Sequence, residues 1–189
     1  MTDQARASQA TTAAQPLDLD FVVRLYPDPV LRRRAREVPV DDETRAVVKA
    51  MFTRMVKSDG CGLAAPQVGL DRRILVLNPT GKPEDDLALV NPTIKERKGG
   101  DTLMDEGCLS FPRIYAEIKR PERCVVEYQD LDGAKHEREF DGFVARIIQH
   151  EYDHLEGVLL VDRMTPADKS RNRAGLEALV DKWKRAQGR

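Results

Sequence analysis

The sequence lacks the long apolar runs and the paired cysteines that mark membrane and secreted proteins. No apolar stretch approaches the roughly 18–20 residues that a membrane-spanning helix needs, and residues 1–16 contain no apolar segment of the kind found in secretory signals. The chain has 3 cysteines, Cys61, Cys108 and Cys124, and a small odd number argues against a disulfide framework. We therefore expect no membrane partner and no structural disulfide.

An excess of charge of one sign is also absent, since 31 basic residues face 32 acidic ones. This balance gives no global signal for a nucleic-acid partner, and we expect no direct binding to DNA. Hydrophobic residues make up 41% of the chain, enough for a core. The length of 189 residues fits one domain with tails. We expect a disordered tail over 1–16, a main catalytic domain over 17–165 and a C-terminal helix and tail over 166–189.

The apolar pattern predicts an α+β fold. A helix begins at Asp41-Asp42 and stops at Gly60, with apolar residues at helical spacing between them. Because the following strands are close in sequence, we expect antiparallel β-sheets, with a central helix packed against them and a C-terminal helix outside. The further elements are strands over 73–77, 87–90 (ended by Asn91-Pro92), 123–129 and 135–140, a helix from Gly142, and a last helix over roughly 167–186.

The strongest chemical signal is the segment HEYDH at 150–154. Histidines at positions i and i+4 of a helix lie on the same side, so that both rings can bind one metal ion. Glu151 lies about 100° around the helix from His150, and it can reach a water on that metal without being a ligand. The alternative interpretation is a pair of ordinary surface or core histidines. His136 lies in the hairpin and is predicted to be a solvated strand residue.

Two residues are candidates for a third metal ligand. Zinc endopeptidases with this helix take either a histidine six residues on, where this chain has Leu160, or a glutamate further downstream, for which Glu177 is the candidate. The other candidate is Cys108 in EGCLS (106–110), since a thiolate is a strong ligand for divalent iron or zinc. Three protein ligands plus water are typical of a catalytic site.

A glycine-rich segment, GCGLAAPQ, spans 60–67. Its two glycines allow the backbone to approach a ligand closely, and Gln67 offers an amide donor. Taken alone, such a segment after a helix is most often only a turn.

These three segments, in this order, resemble those of peptide deformylase, and the similarity extends from about Leu17 to Met164. The stretches DEGCLSFPRIYAE and ARIIQHEYDHLEGVLLVDRM most resemble the plant-organelle branch and its bacterial relatives. The resemblance implies a metal-dependent hydrolase of protein biosynthesis that removes the formyl group from N-formyl-methionine of new polypeptides and releases formate. It also implies one divalent metal ion, Fe2+ in the cell, with Zn2+, Ni2+ or Co2+ able to substitute.

The resemblance assigns roles residue by residue. Cys108, His150 and His154 would bind the metal, and Glu151 would act as general base and then as general acid. The Gln67 amide and the backbone N–H of Leu109 would stabilise the oxyanion. Two residues would support the ligands, Glu106 and Gln149. Gly62 would pair with the substrate backbone as an added strand, and the substrate site as a whole would comprise Gly60, Cys61, Gly62, Met104, Tyr115, Phe143 and Ile147.

The chain departs from the family's pattern at three positions near the substrate. Cys61 replaces a branched aliphatic residue, Arg146 lies where many members have an apolar residue, and Tyr115 lies where some carry an arginine. These departures concern the shape of the pocket and the preference for inhibitors, not the metal site. The alternative interpretation of Cys61 and Met104 is that both belong to an ordinary core.

The C-terminal segment is rich in basic residues: Lys169, Arg171, Arg173, Lys182, Lys184, Arg185 and Arg189. In some members of the family this extension helps the enzyme dock on the ribosome, so the ribosome is a candidate partner through phosphate contacts. The alternative is a solvated helix face. We expect a cytoplasmic protein, with a plastid or mitochondrion as the alternative compartment. Alternative functions are a zinc endopeptidase, a non-catalytic homologue that binds metal or peptide, and a ribosome-associated structural protein.

Overall fold

The computed structural model describes residues 19–188, so the predicted tail over 1–16 lies outside the described residues. Five strands form one antiparallel sheet in the order β1-β2-β3-β4-β5. The strands are β1 (Gly62–Ala64), β2 (Ile74–Leu77), β3 (Leu87–Cys108), β4 (Phe111–Gln129) and β5 (Lys135–Asp141). The helices are α1 (Asp42–Lys57), α2 (Gly142–Leu155), α3 (Leu160–Arg163), α4 (Pro166–Arg171) and α5 (Arg173–Ala186). The predicted α+β class with antiparallel strands is confirmed, and the strands form a single sheet.

Helix α1 begins where the sequence predicts. The carboxylate of Asp41 accepts a hydrogen bond from the backbone N–H of Thr44 (2.8 Å) and so caps the first turn. Val47, Met51 and Met55 are buried on its inner face against β1 and β2. This helix fixes the start of the glycine-rich segment, which follows its last turn and continues into β1.

The predicted end of β3 at Asn91-Pro92 is wrong, because the strand continues to Cys108. Asn91 adopts a left-handed backbone conformation (φ 52°), and the register of β3 on β4 shifts between Val90 and Thr93. The Asn91 amide donates to the backbone oxygen of Val38 (2.8 Å) and to Oε1 of Gln129 (2.9 Å). The side chain thus satisfies groups that the bulge leaves unpaired, and the strand resumes beyond it.

Strand β4 begins earlier than predicted, at Phe111 instead of Arg123. Pro121 pairs with Asp101 beside another register shift in the β3–β4 ladder, where the missing N–H of proline is tolerated. Alternate residues before it, Ile114, Ala116 and Ile118, are buried. The long β3–β4 hairpin therefore carries its turn, with Cys108 at the end of β3, to one edge of the core.

Helix α2 begins at Gly142, as predicted, and contacts β1, β2, β4 and β5. Ala145, Ile148 and Leu155 are fully buried and pack in one cluster with Leu75 and Leu77 of β2. The helix is therefore held along its whole length against the sheet, which fixes the position of any side chain that it carries toward the β3–β4 turn.

The last helix is predicted as continuous, but it is divided at Asn172 into α4 and α5. The Asn172 amide donates to the backbone oxygen of Tyr115 (2.9 Å) and to that of Asp168 (3.0 Å). Leu179 of α5 packs in the same apolar cluster as Ile114 of β4. Within residues 19–188, no helix combines the length and the apolar character needed to cross a bilayer.

Candidate metal site

Three potential metal ligands meet where α2 faces the end of β3. The ligand atoms of Cys108, His150 and His154 all lie within 4.8 Å of one another, and Sγ of Cys108 is 3.2 Å from Nε2 of His154. The other candidate third ligand, Glu177, does not belong to this group. It lies on α5 as an exposed partner of Arg173 (4.0 Å). The third ligand expected of an endopeptidase is therefore absent from the group, and Cys108 takes its place.

This donor set fits a divalent transition metal. Bonds of about 2.0–2.3 Å in a tetrahedral site place ligand atoms roughly 3.3–3.8 Å apart. The three ligand atoms here lie within 4.8 Å of one another, so small side-chain shifts suffice to reach that spacing. Thiolate and imidazole ligands suit zinc and iron. Burial lowers the pKa of His154 well below its usual range, so its ring is held in the neutral form that binds metal. Three ligands leave a fourth position free for a reacting molecule.

Glu106 orients the His150 ring. Its carboxylate oxygen Oε2 lies 2.9 Å from Nδ1 of His150, which leaves Nε2 of that ring for the metal. Burial opposes ionisation of Glu106, but the hydrogen bonds from His150 and Arg120 outweigh it and hold the pKa of the carboxyl well below its usual range. Glu106 is therefore an ionised acceptor, which fits its predicted supporting role.

Arg120 is a functional residue that the sequence analysis missed. Its guanidinium binds both oxygens of Glu106 (2.7 and 2.9 Å) and also Oδ2 of Asp153 (2.8 Å). Asp153 in turn accepts from Arg163 (2.6 Å). The available signal is the alternation of β4, because Arg120 occupies an inward position after Ile118 and is only 5% exposed. A charged residue at such a position indicates a buried ion pair.

Glu151 lies beside the ligands with an unusual carboxyl group. It is 5% exposed, and among the described residues its Oε2 has no hydrogen-bond partner. Burial raises the pKa of Glu151 to about 7, although the nearby charges of His150 and Arg120 oppose this shift. Near neutral pH the carboxyl can therefore both accept and release a proton.

Gln67 is held with its amide nitrogen toward Cys108. Its Oε1 accepts from the backbone N–H of Ala64 (2.8 Å), which fixes which end of the amide faces the site. Its Nε2 lies 3.6 Å from Sγ of Cys108 and 3.4 Å from Oγ of Ser110. The side chain is 1% exposed. The result is a preorganised N–H donor next to the metal position.

The glycine-rich segment is an edge strand and not only a turn. Strand β1 pairs with β2 on one side and is the first strand of the sheet. A Cβ on Gly62 would come 2.6 Å from Oε1 of Glu151 and 2.7 Å from Cγ2 of Ile147. A Cβ on Gly60 would come 2.8 Å from Cδ1 of Leu109. A side chain at position 62 would therefore have to displace Glu151 or Ile147, whereas one at position 60 would require a shift of the Leu109 side chain.

Two cavities adjoin the ligands. The larger, about 450 Å³, is lined by Gly60, Cys61, Gly62, Leu109, Tyr115 and the ligand pair Cys108 and His150. A side cavity of about 200 Å³ is lined by the four residues predicted for an apolar pocket, Cys61, Met104, Phe143 and Ile147, together with Glu106, Arg146, His150 and Glu151. Cys61 and Glu151 line both cavities. The predicted substrate residues are thus brought together around the candidate metal site.

Gln149 directly precedes His150 in the sequence, but its side-chain hydrogen bonds differ from those expected of a residue that supports a metal ligand. Its amide nitrogen donates to the backbone oxygens of Pro121 (2.9 Å) and Ala145 (3.2 Å). These two hydrogen bonds hold α2 against β4, and neither of them reaches a candidate metal ligand. Any support that Gln149 gives to His150 and His154 is indirect and comes from fixing the position of α2.

Comparisons with a family model, with protein sequences and with solved structures all identify peptide deformylases as relatives. The model of the polypeptide deformylase family matches residues 22–170. The chloroplastic/mitochondrial peptide deformylase 1B of Arabidopsis thaliana is 46% identical over 182 residues, which cover 93% of this chain and 67% of the relative. A peptide deformylase of Thermotoga maritima is 43% identical over 150 residues, covering 79% of this chain and 90% of the relative.

Solved structures agree in fold. A plant peptide deformylase superposes with a TM-score of 0.87 at 42% identity, covering 94% of this chain and 97% of that one. The peptide deformylase of Plasmodium falciparum superposes with a TM-score of 0.84 at 42% identity, covering 86% of this chain and 97% of that one. The helix, the hairpin and the ligand residues therefore lie in an architecture that these structures share.

Proposed function

The chain belongs to the polypeptide deformylase family, and on that premise we propose that Cys108, His150 and His154 hold one divalent metal ion while Glu151 moves the protons of the reaction. The chain is accordingly a metal-dependent hydrolase that removes the formyl group from N-formyl-methionine of nascent polypeptides and releases formate. The predicted family, activity and enzyme class are confirmed by the comparisons. The roles of individual residues are the proposal.

Glu151 serves the two proton transfers of formamide hydrolysis. Cys108, His150 and His154 would hold the metal, which would supply Lewis acidity and lower the pKa of a bound water from 15.7 toward about 7. The Glu151 carboxylate takes the proton of the attacking water and later returns it to the leaving amine nitrogen. In the chain without metal, burial raises the pKa of Glu151 to about 7, and a dication held by the three ligands would favour the ionised form. These opposing effects keep both protonation states of the carboxyl within reach.

Two N–H groups stabilise the negative charge that develops on the formyl oxygen. The Gln67 amide is held by Ala64, and its nitrogen lies 3.6 Å from Cys108 Sγ. The second donor is the backbone N–H of Leu109, which follows Cys108 at the turn after β3. Donors fixed in advance by the fold stabilise a developing oxyanion without reorganisation at the moment of reaction.

The substrate backbone adds to the free edge of β1. Within residues 19–188 the strand pairs only with β2, and peptides commonly bind an exposed edge as an additional strand. Gly62 lies in this strand against Glu151, so a peptide aligned along it has its formyl end near the proton-transfer group. Tyr115, which is 62% exposed, lines the opposite part of the larger cavity.

The side cavity takes the methionine side chain of the substrate. Met104, Phe143 and Ile147 give it apolar walls, as expected for an unbranched thioether side chain. Met104 and Phe143 are 39% and 47% exposed, so the cavity opens toward solvent where a substrate can enter. Cys61 lines both cavities, so it would lie beside the first residue of the substrate.

Fe2+ is the proposed metal in the cell, with Zn2+, Ni2+ or Co2+ able to replace it. A site with one thiolate ligand suits all four ions. We expect the Fe2+ form to lose activity in air and the Ni2+ form to keep it. An Fe2+ form that stays fully active through days in air would contradict this assignment.

The ribosome is a proposed partner through the C-terminal helices. Of the seven basic residues predicted to contribute, Arg189 lies outside the described residues. The other six are exposed: Lys169, Arg171, Arg173, Lys182, Lys184 and Arg185. Two of them, Arg171 and Arg173, pair with acidic residues of their own helices, which leaves the basic end of α5 as the best docking surface. Co-sedimentation of ribosomes with the parent and with a Lys182→Glu, Lys184→Glu, Arg185→Glu variant tests this. Equal binding would refute it.

The cytoplasm is the proposed compartment, with a plastid or mitochondrion as the alternative that the names of the plant relatives suggest for those proteins. Fractionation of source cells, followed by detection of the chain with an antibody, separates the two. Recovery in an organelle fraction would contradict the cytoplasmic assignment.

The meeting of two helix histidines with Cys108 carries the proposal, together with the adjacent Glu151 carboxylate, whose Oε2 has no hydrogen-bond partner among residues 19–188. The test is formate release from an N-formyl-methionyl tripeptide by the metal-loaded chain, the same chain after chelation, and the chain reloaded with Ni2+. We expect release, loss and recovery in that order. Cleavage of unblocked peptides without formate release would favour an endopeptidase, and binding of the formyl peptide without turnover would indicate a non-catalytic homologue.

A further inference from the structure

Arg146 is buried on α2 at the boundary between the metal site and the side cavity. It precedes His150 by one helical turn, is 5% exposed and lines the side cavity. Its two terminal nitrogens donate to four acceptors: Oε1 of Glu106 (3.0 Å), the backbone oxygen of Ile118 (3.0 Å), and the backbone and side-chain oxygens of Thr102 (2.9 and 2.6 Å). A charged side chain with so many fixed contacts holds the groups around it in place.

On one side, Arg146 binds the carboxylate of Glu106, which orients the candidate ligand His150. Oε1 of Glu106 accepts from Arg146 and from Nε of Arg120 (2.7 Å). Oε2 accepts from Nη2 of Arg120 (2.9 Å) and faces Nδ1 of His150 (2.9 Å). An ionised carboxylate offers about four acceptor positions, and these four partners fill them. Loss of Arg146 leaves Oε1 with Arg120 as its one remaining donor and one buried acceptor position unfilled, which favours a shift or rehydration of Glu106.

On the other side, Arg146 binds strand β3, which forms one wall of the side cavity. Thr102 and Met104 lie on the exposed part of β3, and Met104 faces the cavity that Phe143 and Ile147 of α2 line from the other side. The two hydrogen bonds from Arg146 to Thr102 join β3 to α2 directly. They therefore set the distance between the two walls.

We propose that Arg146 is a positioning residue that joins the methionine pocket to the metal ligand His150. Through Glu106 it holds the His150 ring, and through Thr102 it holds the pocket wall that carries Met104. The assignment of the pocket to the substrate rests on the proposed function, whereas the connection from Arg146 through Glu106 to His150 does not.

Metal affinity tests the Glu106 end without any need for activity. We expect Arg146→Met to weaken Zn2+ binding by about 10–100-fold in competition with a chromophoric chelator, the usual effect of losing a partner behind a ligand. Arg73→Met is the matched control, because Arg73 is also buried, pairs with Glu156 (2.6 Å) and binds a backbone oxygen, that of Pro92 (2.9 Å). We expect that control to keep the parent's Zn2+ affinity. Equal affinity in both variants would overturn the Glu106 part of the proposal.

Substrate selectivity tests the Thr102 end. We measure kcat and KM for N-formyl-Met and N-formyl-Ala tripeptides with the parent, Arg146→Met, Arg146→Lys and Thr102→Val. We expect the Met-to-Ala ratio of kcat/KM to fall in Arg146→Met and Thr102→Val, while Thr102→Val keeps the parent's Zn2+ affinity. Arg146→Lys should recover part of both properties and serves as the informative variant if Arg146→Met does not fold. An unchanged ratio in all variants would overturn the pocket part.

The two readouts separate failure of this proposal from failure of the function. If the parent releases no formate, the proposed function fails, and the Zn2+ competition still decides the connection between Arg146 and His150. If the parent is active and the Arg146 variants match the Arg73→Met control in affinity and the parent in selectivity, the positioning role is refuted.

Discussion

Gly62 lies so close to Glu151 that a Cβ at position 62 would come 2.6 Å from Oε1 of the carboxyl. The same Cβ would come 2.7 Å from Ile147. Because real Cβ atoms do not approach other heavy atoms this closely, any side chain here must displace the proton-transfer group or the wall of the side cavity. The glycine in the edge strand and the acid on α2 therefore form one fitted unit.

A Gly62→Ala substitution should lower the rate of formate release by at least about tenfold, since displacement of a reacting group by an ångström can reduce a rate about 10²-fold. The metal content should be unchanged, because the three atoms nearest to a Cβ at position 62 belong to Glu151 and Ile147 and not to a candidate ligand. The measurement is kcat with metal content determined in parallel. Gly100→Ala is the control, because a Cβ at Gly100 would meet nothing within 4 Å. A Gly62→Ala chain as fast as that control would contradict the fit.

Replacing Gln67 by glutamate should remove a donor and keep an acceptor for the Ala64 N–H. The loss of one oxyanion donor typically raises the barrier by about 2.7–4 kcal/mol, or about 10²–10³ in kcat. We expect kcat to fall by that factor and KM to change much less. Steady-state kinetics at equal metal occupancy provide the measurement, and a change confined to KM would show that Gln67 only binds the ground state.

The pH dependence of stability should report on Glu106. Its pKa in the folded chain lies well below the reference value of 4.5, so its stabilising effect is present above that value and is lost as the pH falls toward the folded pKa. In metal-free protein, the free energy of unfolding should decrease more steeply below pH 4.5 for the parent than for Glu106→Gln. Urea titrations at several pH values supply both curves, and parallel curves would refute the assignment.

Thiol chemistry should distinguish the two cysteines outside the ligand set. Cys124 is fully buried, and burial raises its pKa to about 11, which makes its thiolate scarce and inaccessible. Cys61 is exposed at the junction of the two cavities. Alkylation of the native, Zn2+-loaded chain should therefore modify Cys61 first and slow formate release, with Cys61→Ala protected from this loss. Equal rates of modification at Cys61 and Cys124, measured by peptide mass spectrometry, would contradict the prediction.

Local sequence patterns were sufficient to predict α1 and α2, the two helices that position the site. The Asp41 cap and the apolar spacing of α1 act within a few residues, and the same holds for the start of α2 at Gly142 and the i, i+4 pair on it. The roles of Gln67 and Leu109 were available only from the resemblance, since nothing in a glycine-rich segment alone indicates an oxyanion donor.

The features that escaped prediction depend on contacts distant in sequence. Strand β3 continues past Asn91 because that side chain binds Val38 and Gln129, neither of which is near it in the chain. Arg120 is stable in the core because Glu106 and Asp153 reach it from another strand and from α2. Patterns of polarity along one segment cannot supply such partners.

The central claim is that Glu151 moves protons at a metal held by Cys108, His150 and His154. The most direct measurement is formate release from an N-formyl-methionyl tripeptide by a Glu151→Gln variant whose metal content equals the parent's. Positioned acid–base groups contribute about 10²–10⁴ in rate, so the account predicts a loss of at least about 10²-fold with the metal retained. Release within about threefold of the parent at equal metal content would contradict it.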